Sequence, residues 1–141
     1  MSDSIIHSKN APEPVGEYPH ARRVGQLLFL SGVGSRIPGS NEIPGGPICD
    51  SDGVSLAYDV AAQTEQVIKN IEAVLFSCNL TLANVVDVTA FLVDMDRDFE
   101  AYNKVYAKYF NNIQAARTTI AIRALPTPIA VEFKVIAAFP S

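Results

Sequence analysis

Residues 59–93, DVAAQTEQVIKNIEAVLFSCNLTLANVVDVTAFLV, change their apolar period part-way through. From Asp59 to Cys78 the apolar positions Val60, Val67, Ile68, Ile71, Val74, Leu75 and Cys78 recur at spacings of three and four, while Gln63, Glu65, Gln66, Lys69 and Glu72 fall elsewhere. That period predicts an amphipathic helix. From Val85 to Val93 the residues alternate, with Val86, Val88, Ala90 and Leu92 on one face and Asp87, Thr89, Phe91 and Val93 on the other. Alternation and β-branched residues predict a strand. Downstream, Asp94, Asp96 and Asp98 precede Phe99, Tyr102, Tyr106, Tyr109 and Phe110. This reads as a second helix with acids at its N-terminus and an aromatic stripe. Arg117–Arg123 and Val131–Ala138 alternate as two further strands, separated by Ala124-Leu125-Pro126-Thr127-Pro128. Upstream, residues 5–7 and 21–25 make short strands around the break at Ala11-Pro12-Glu13-Pro14, and Leu27–Val33 (LLFLSGV) makes a buried one. Between Gly34 and Gly53 prolines, glycines and polar residues predict a loop longer than the ~12–15 residues usual in compact domains, and such loops are disproportionately functional.

The order of strands, helix, strand, helix and two strands predicts a single-domain α+β sandwich over residues 1–141, with both helices on one face of a sheet. Thr89, Phe91, Thr119, Ala121 and Val135 are too apolar for a solvated second face, so a subunit partner is its expected cover. The 141 residues, 48% of them apolar and 18% charged, suffice for one core and exclude a largely disordered chain.

Eleven Lys and Arg against 15 Asp and Glu give a net charge of -4 with no basic stripe, so nucleic acid is not an expected partner. Cys49 and Cys78 lack the neighbours that a zinc site or a disulfide framework would need. No metal is expected, and two free thiols suit the cytoplasm. The N-terminal MSDSIIHSKN does not read as a signal peptide, and no apolar run approaches the ~18 residues of a membrane span. A soluble cytoplasmic protein without membrane association is expected.

Several motifs carry less than they suggest. Gly32-Val33-Gly34 follows a strand, but Ile37 stands where a dinucleotide fingerprint needs its third glycine, and a turn is the expected reading. The alternating Asp94, Asp96 and Asp98 lack the glycine and terminal Glu of a calcium loop, and read as helix capping. His7 and His20 could act as bases and Ser31 as a nucleophile, yet nothing in the pattern orients a histidine toward Ser31. The aromatic stripe reads as packing, with Asn103 the polar exception. Arg117 opens an apolar strand and is expected to be partly buried, which is costly for a guanidinium without an anion. Either Glu132 on a neighbouring strand pairs with it, or a ligand carboxylate does and Glu132 is free to act as a base; the residues alone favour neither.

At Val15-Gly16-Glu17-Tyr18, Leu30-Ser31-Gly32, Asp59-Val60-Ala61-Ala62-Gln63, Asn103–Tyr106, Ala116-Arg117 and Leu125-Pro126 through Val131-Glu132, the chain resembles the YjgF/RidA reactive intermediate deaminase family, in order and over nearly its whole length. Within it, the segments SGVGSR (31–36) and RTTIAIRALPTPI (117–129) and the extended loop are most similar to the 2-aminomuconate deaminase branch. The resemblance implies a chorismate-mutase-like fold and a homotrimer whose sheets form a central β-barrel, with helices outside and a ligand cleft at each subunit interface.

It also implies cofactor-free hydrolysis of enamines and imines of 2-amino acids. Arg117 would clamp the substrate carboxylate, Glu132 would position or deprotonate water, and Ser31 with Gly32 would bind the carboxylate or the developing charge; Tyr18 and Asn103 match further cleft positions. Val33, Thr119 and Ala115 depart from the family's usual Gln, Cys and Pro. The leading expectation is deamination of 2-aminomuconate to 4-oxalocrotonate or its 2-hydroxymuconate tautomer plus ammonia, in aromatic-compound catabolism. The alternatives are a broad scavenger of 2-aminoacrylate-type imines and a carboxylate-binding regulatory module without turnover. A ribonuclease role, sometimes assigned within the family, fits poorly with an isoelectric point near 5.0. A six-carbon dicarboxylate has a second anionic end beyond the reach of Arg117. Arg36 in the long loop and Arg123, which shares a strand face with Arg117 by alternation, are the candidates to meet it.

Overall fold

The structure, a computed structural model, describes residues 3–141, so the first two positions of the N-terminal stretch read above lie outside it. The elements run β1 (Ser4–Ile6), β2 (Ala21–Val24), β3 (Leu27–Leu30), α1 (Val60–Phe76), β4 (Val85–Leu92), α2 (Met95–Phe110), β5 (Ala116–Ala121) and β6 (Val131–Ala138), with a 3-10 turn at Leu82–Asn84. Helix α1 starts where the Asp59 carboxylate accepts from the Ala62 amide, and α2 where Asp94 accepts from the Arg97 amide. Both satisfy amides that a helix N-terminus leaves without partners.

The sheet order is β1-β2-β3-β6-β4-β5. Strands β4 and β5 are parallel, and the other neighbours are antiparallel. Strands β3 and β4 both run against β6 and therefore parallel to each other. Helix α1 crosses from β3 to β4 and α2 from β4 to β5, both stepping in the same direction across the sheet. Right-handed crossovers then place both helices on one face, and the core forms between them and Leu28, Leu30, Val88, Leu92, Phe133 and Val135, all fully buried.

The alternation in β4 differs from expectation at its start. A register shift between Val85 and Asp87 turns Val85 inward and leaves Val86 45% exposed; the inserted residue of a bulge carries the alternation out of phase. The second sheet face also has a different membership. Val135 is buried under the helices, and Thr119 and Ala121 pair with the buried Ala90 and Leu92, so these three lie on the helix side. The open face presents Thr89 and Phe91 as expected, together with Thr118, Ile120, Glu132, Lys134 and Ile136. Ile5, Val24, Leu27 and Ile120 are exposed apolar residues on that side. Lys134 donates to the Leu30 carbonyl across this face, and burial pulls its ammonium below the usual lysine range.

The long connection from Gly34 to Tyr58 contains no strand or helix, yet it is fastened to α1. Gln63 is fully buried, contrary to its expected place on a polar helix face. Its carbonyl accepts from Ser35 Oγ at 3.2 Å and the Ala130 amide at 2.7 Å, and its amide donates to the Gly46 carbonyl at 2.9 Å. Asn70, one turn-pair along the helix and also buried, donates to the carbonyls of Gly34 at 2.9 Å and Arg36 at 2.8 Å. Gly45 has φ +77°, and a Cβ there would stand 2.5 Å from the Asp59 carbonyl, so the loop rests directly on the N-terminus of α1.

Candidate functional site

The expected site residues fall into two groups. The first forms where β3 gives way to Ser31–Gly34. Instead of turning, this segment continues beside β6: Val33 and Phe133 exchange backbone hydrogen bonds of 2.8 and 3.0 Å. Gly32 is thereby pressed onto the Glu132 side chain. A Cβ at position 32 would lie 2.5 Å from Glu132 Oε2 and 3.0 Å from its Cδ, so only glycine leaves the carboxylate its place. Ser31 Oγ donates to the Pro19 carbonyl at 2.7 Å.

His20 lines the recess beside Ser31, with both ring nitrogens engaged by backbone groups. Its Nδ1 accepts from the Ser8 amide at 2.9 Å, so its Nε2–H donates to the Pro12 carbonyl at 2.7 Å. Neither nitrogen faces Ser31 as a free base, which agrees with the absence of a triad pattern.

Two recesses flank this segment and share Tyr18, Gly32, Gly34 and Arg36. Ser31 and His20 line the first, and Glu132, Pro126 and Thr127 line the second. Burial pushes the Glu132 carboxyl above the usual glutamate range, because a low-dielectric setting disfavours the charged form.

The second group lies at the outer strand β5 and helix α2. Arg117 Nη1 donates to Asn103 Oδ1 at 2.7 Å, and its guanidinium carbon lies 4.6 Å from the Tyr106 ring centre and 5.5 Å from that of Tyr102. Stacking on aromatic faces is favourable for a guanidinium. Arg117 is exposed rather than partly buried as its apolar strand implied, because β5 is an edge strand. Tyr102 is fully buried, its hydroxyl 2.7 Å from Thr119 Oγ1, whereas the buried Tyr106 hydroxyl has no partner among the described residues. The stripe that read as packing is thus also the bed on which Arg117 lies; the spacing of Tyr102, Asn103 and Tyr106 on α2 is the signal that could have revealed it.

Arg117 and Glu132 do not pair. Strand β4 separates their strands; Arg117 aligns with Val88 on the helix side, whereas Glu132 aligns with Phe91 on the open side. The two salt bridges among the described residues are Arg97–Asp98 and Lys108–Glu65. Arg123 does not share the face of Arg117, since β5 ends at Ala121 and Arg123 lies exposed in the connection beyond. Arg36 joins the first group and Arg123 neither.

Residues 8–139 match the family model described as endoribonuclease L-PSP. The chain belongs to this family, the YjgF/RidA family. Its relatives include yeast HMF1, 39% identical over 92% of this chain and 90% of that protein. Reactive Intermediate Deaminase A of Arabidopsis thaliana, a chloroplast protein, is 34% identical over 97% of this chain and 66% of its own length. Among solved structures of the YjgF/RidA fold, yeast YEO7 superposes with a TM-score of 0.82 at 35% identity, covering 99% of this chain and all of that one. Escherichia coli TdcF with bound serine gives 0.81 at 26% identity, over 97% and 99% of the two chains. Two helices on one face of a six-stranded mixed sheet are what this family member and those neighbours share. Among the described residues no helix is long and apolar enough to cross a membrane.

Proposed function

We propose that the protein is a hydrolytic deaminase of enamines and imines derived from 2-amino acids, with 2-aminomuconate as its substrate. The observation that carries this reading is the pair of groups just described: a guanidinium held by Asn103 and two aromatic rings, without a carboxylate partner among the described residues, and a half-buried carboxylate whose affinity for protons is raised. The relative named Reactive Intermediate Deaminase A and the serine bound by TdcF support a small amino-acid-like ligand. The two groups lie on opposite sheet faces of one chain, so we place them together across a subunit interface of a homotrimer, with Arg117 from one chain and Glu132 from the next.

The enamine tautomerises to an imine at C2. Arg117 holds the adjacent carboxylate through two parallel N–H bonds, fixing the imine carbon in the cleft. Glu132, when ionised, accepts a proton from water as the water oxygen bonds to C2. Ser31 and the Gly32 amide steady the carboxylate or the charge that develops beside it. Glu132 passes that proton, and then the proton of the new C2–OH, to the nitrogen, so that the C2–N bond breaks with loss of ammonia as the C2–O bond becomes a carbonyl, giving the 2-oxo dicarboxylate. Water is the only co-reactant, and no cofactor enters the balance.

Purified protein supplied with freshly generated 2-aminomuconate should release ammonia stoichiometrically with product. Arg117→Lys should keep the fold and lose about ten- to a hundredfold in kcat/KM, since an ammonium cannot reproduce the two-bond fork and a hydrogen bond to a charged group is worth ~1.5–3 kcal/mol. An unchanged kcat/KM would remove the clamp. The serine-bound relative favours one other reading, a ligand-binding module without turnover; binding of 2-aminomuconate with no ammonia released would select it.

A further inference from the structure

We infer that Arg36 receives a second anionic group of the ligand and so selects dicarboxylates over monocarboxylates; this rests on the proposed reading, in which Arg117 takes the carboxylate beside the reacting carbon. Among the described residues Arg36 is the one cation that borders both recesses, beside Tyr18 and Gly32, and in the second recess it accompanies Glu132. Its position is fixed at two ends. The backbone carbonyl accepts from buried Asn70 at 2.8 Å; at the tip, Nη1 donates to Asn41 Oδ1 at 3.0 Å and Nη2 to the Glu13 carbonyl at 2.6 Å. Both tip acceptors are uncharged, and neither salt bridge among the described residues includes Arg36. A guanidinium has about five N–H donors, so roughly three remain after these two bonds. The guanidinium is therefore held in place without a salt bridge among the described residues, with donors to spare, on a residue that borders both recesses.

The charge matters because Glu132 is already in the second recess. A ligand with one carboxylate at Arg117 and another in this recess would meet repulsion from Glu132 unless a cation accompanied it. Arg36 supplies that cation. Arg123 borders neither recess and lies beyond the end of β5. The competing role for Arg36 is purely structural, clasping residues 13 and 41 together. It predicts equal effects on every ligand.

The test is calorimetric titration of the full-length protein with adipate and with hexanoate, six-carbon acids that differ in the second carboxylate, for wild type, Arg36→Met and Arg36→Ala. Wild type should prefer adipate by about tenfold or more, and both variants should lose most of that preference while binding hexanoate within about twofold of wild type. Equal losses for both acids, no preference in wild type, or no binding of either acid by wild type would overturn the assignment. A parallel ammonia assay separates the two proposals: wild type that prefers adipate but deaminates nothing sinks the proposed reaction and leaves the role of Arg36 standing.

Discussion

Glu132 is held at the underside of Gly32, where burial raises its proton affinity. Its folded-state value lies above its unfolded value, so its contribution to stability is fully present below the unfolded value, near ~4.3, and is lost as pH rises through the folded one. Glu132→Gln should therefore raise the melting temperature at neutral pH, by up to a few degrees, and the gap should close as both proteins are taken to about pH 4. A melting difference that grows toward acid would contradict the burial of this carboxylate. The same proton governs the proposed chemistry, since only the ionised carboxylate accepts from water. Sequence reading named candidate residues but not their arrangement. Arg117 stood out as a charge in an apolar strand, and Ser31, Gly32 and Glu132 through the family resemblance. Whether Arg117 met Glu132 depended on which strands adjoin and which faces they present, and a single chain's alternation carries neither fact across the β5–β6 connection. The place of Arg123 failed similarly, because its alternation was extended past the strand's end.

Both helices and β6 were legible because their apolar periods run for several turns or residue pairs without interruption. The bulge that displaces Val86 was not, since one inserted residue mimics continued alternation. The long loop was recognised by its prolines and glycines, but its attachment was not, because glutamine and asparagine on a helix ordinarily face water. Gln63 instead supplies three of the bonds that hold the loop and the start of β6 to α1. Gln63→Ala would leave the Ala130 amide and the Gly46 carbonyl without their partner in a closed interior, and an unsatisfied buried group costs ~1–3 kcal/mol. Urea denaturation should show a loss of about 2 kcal/mol or more; a loss under about 0.5 kcal/mol, the range of an ordinary surface change, would mean that the loop does not depend on this residue.

At the scale of the whole molecule, the open sheet face with Phe91, Ile120 and Ile136 requires a cover, and the proposed homotrimer provides one. Sedimentation at micromolar concentration should give a trimer, and a stable monomer would remove both the barrel and the shared site. The separation of Arg117 and Glu132 on opposite faces of one sheet has a genetic counterpart. If every site borrows its guanidinium from one chain and its carboxylate from another, two defective copies can repair each other. An Arg117→Lys chain and a Glu132→Gln chain, co-refolded in equal amounts, should regain activity in about a quarter of their sites, those in which the intact half of each meets the other. Unmixed, each stays impaired. Were both groups to serve within a single chain, no proportion of the two would restore anything, so a cell carrying two different faulty alleles would fare no better than one carrying either alone.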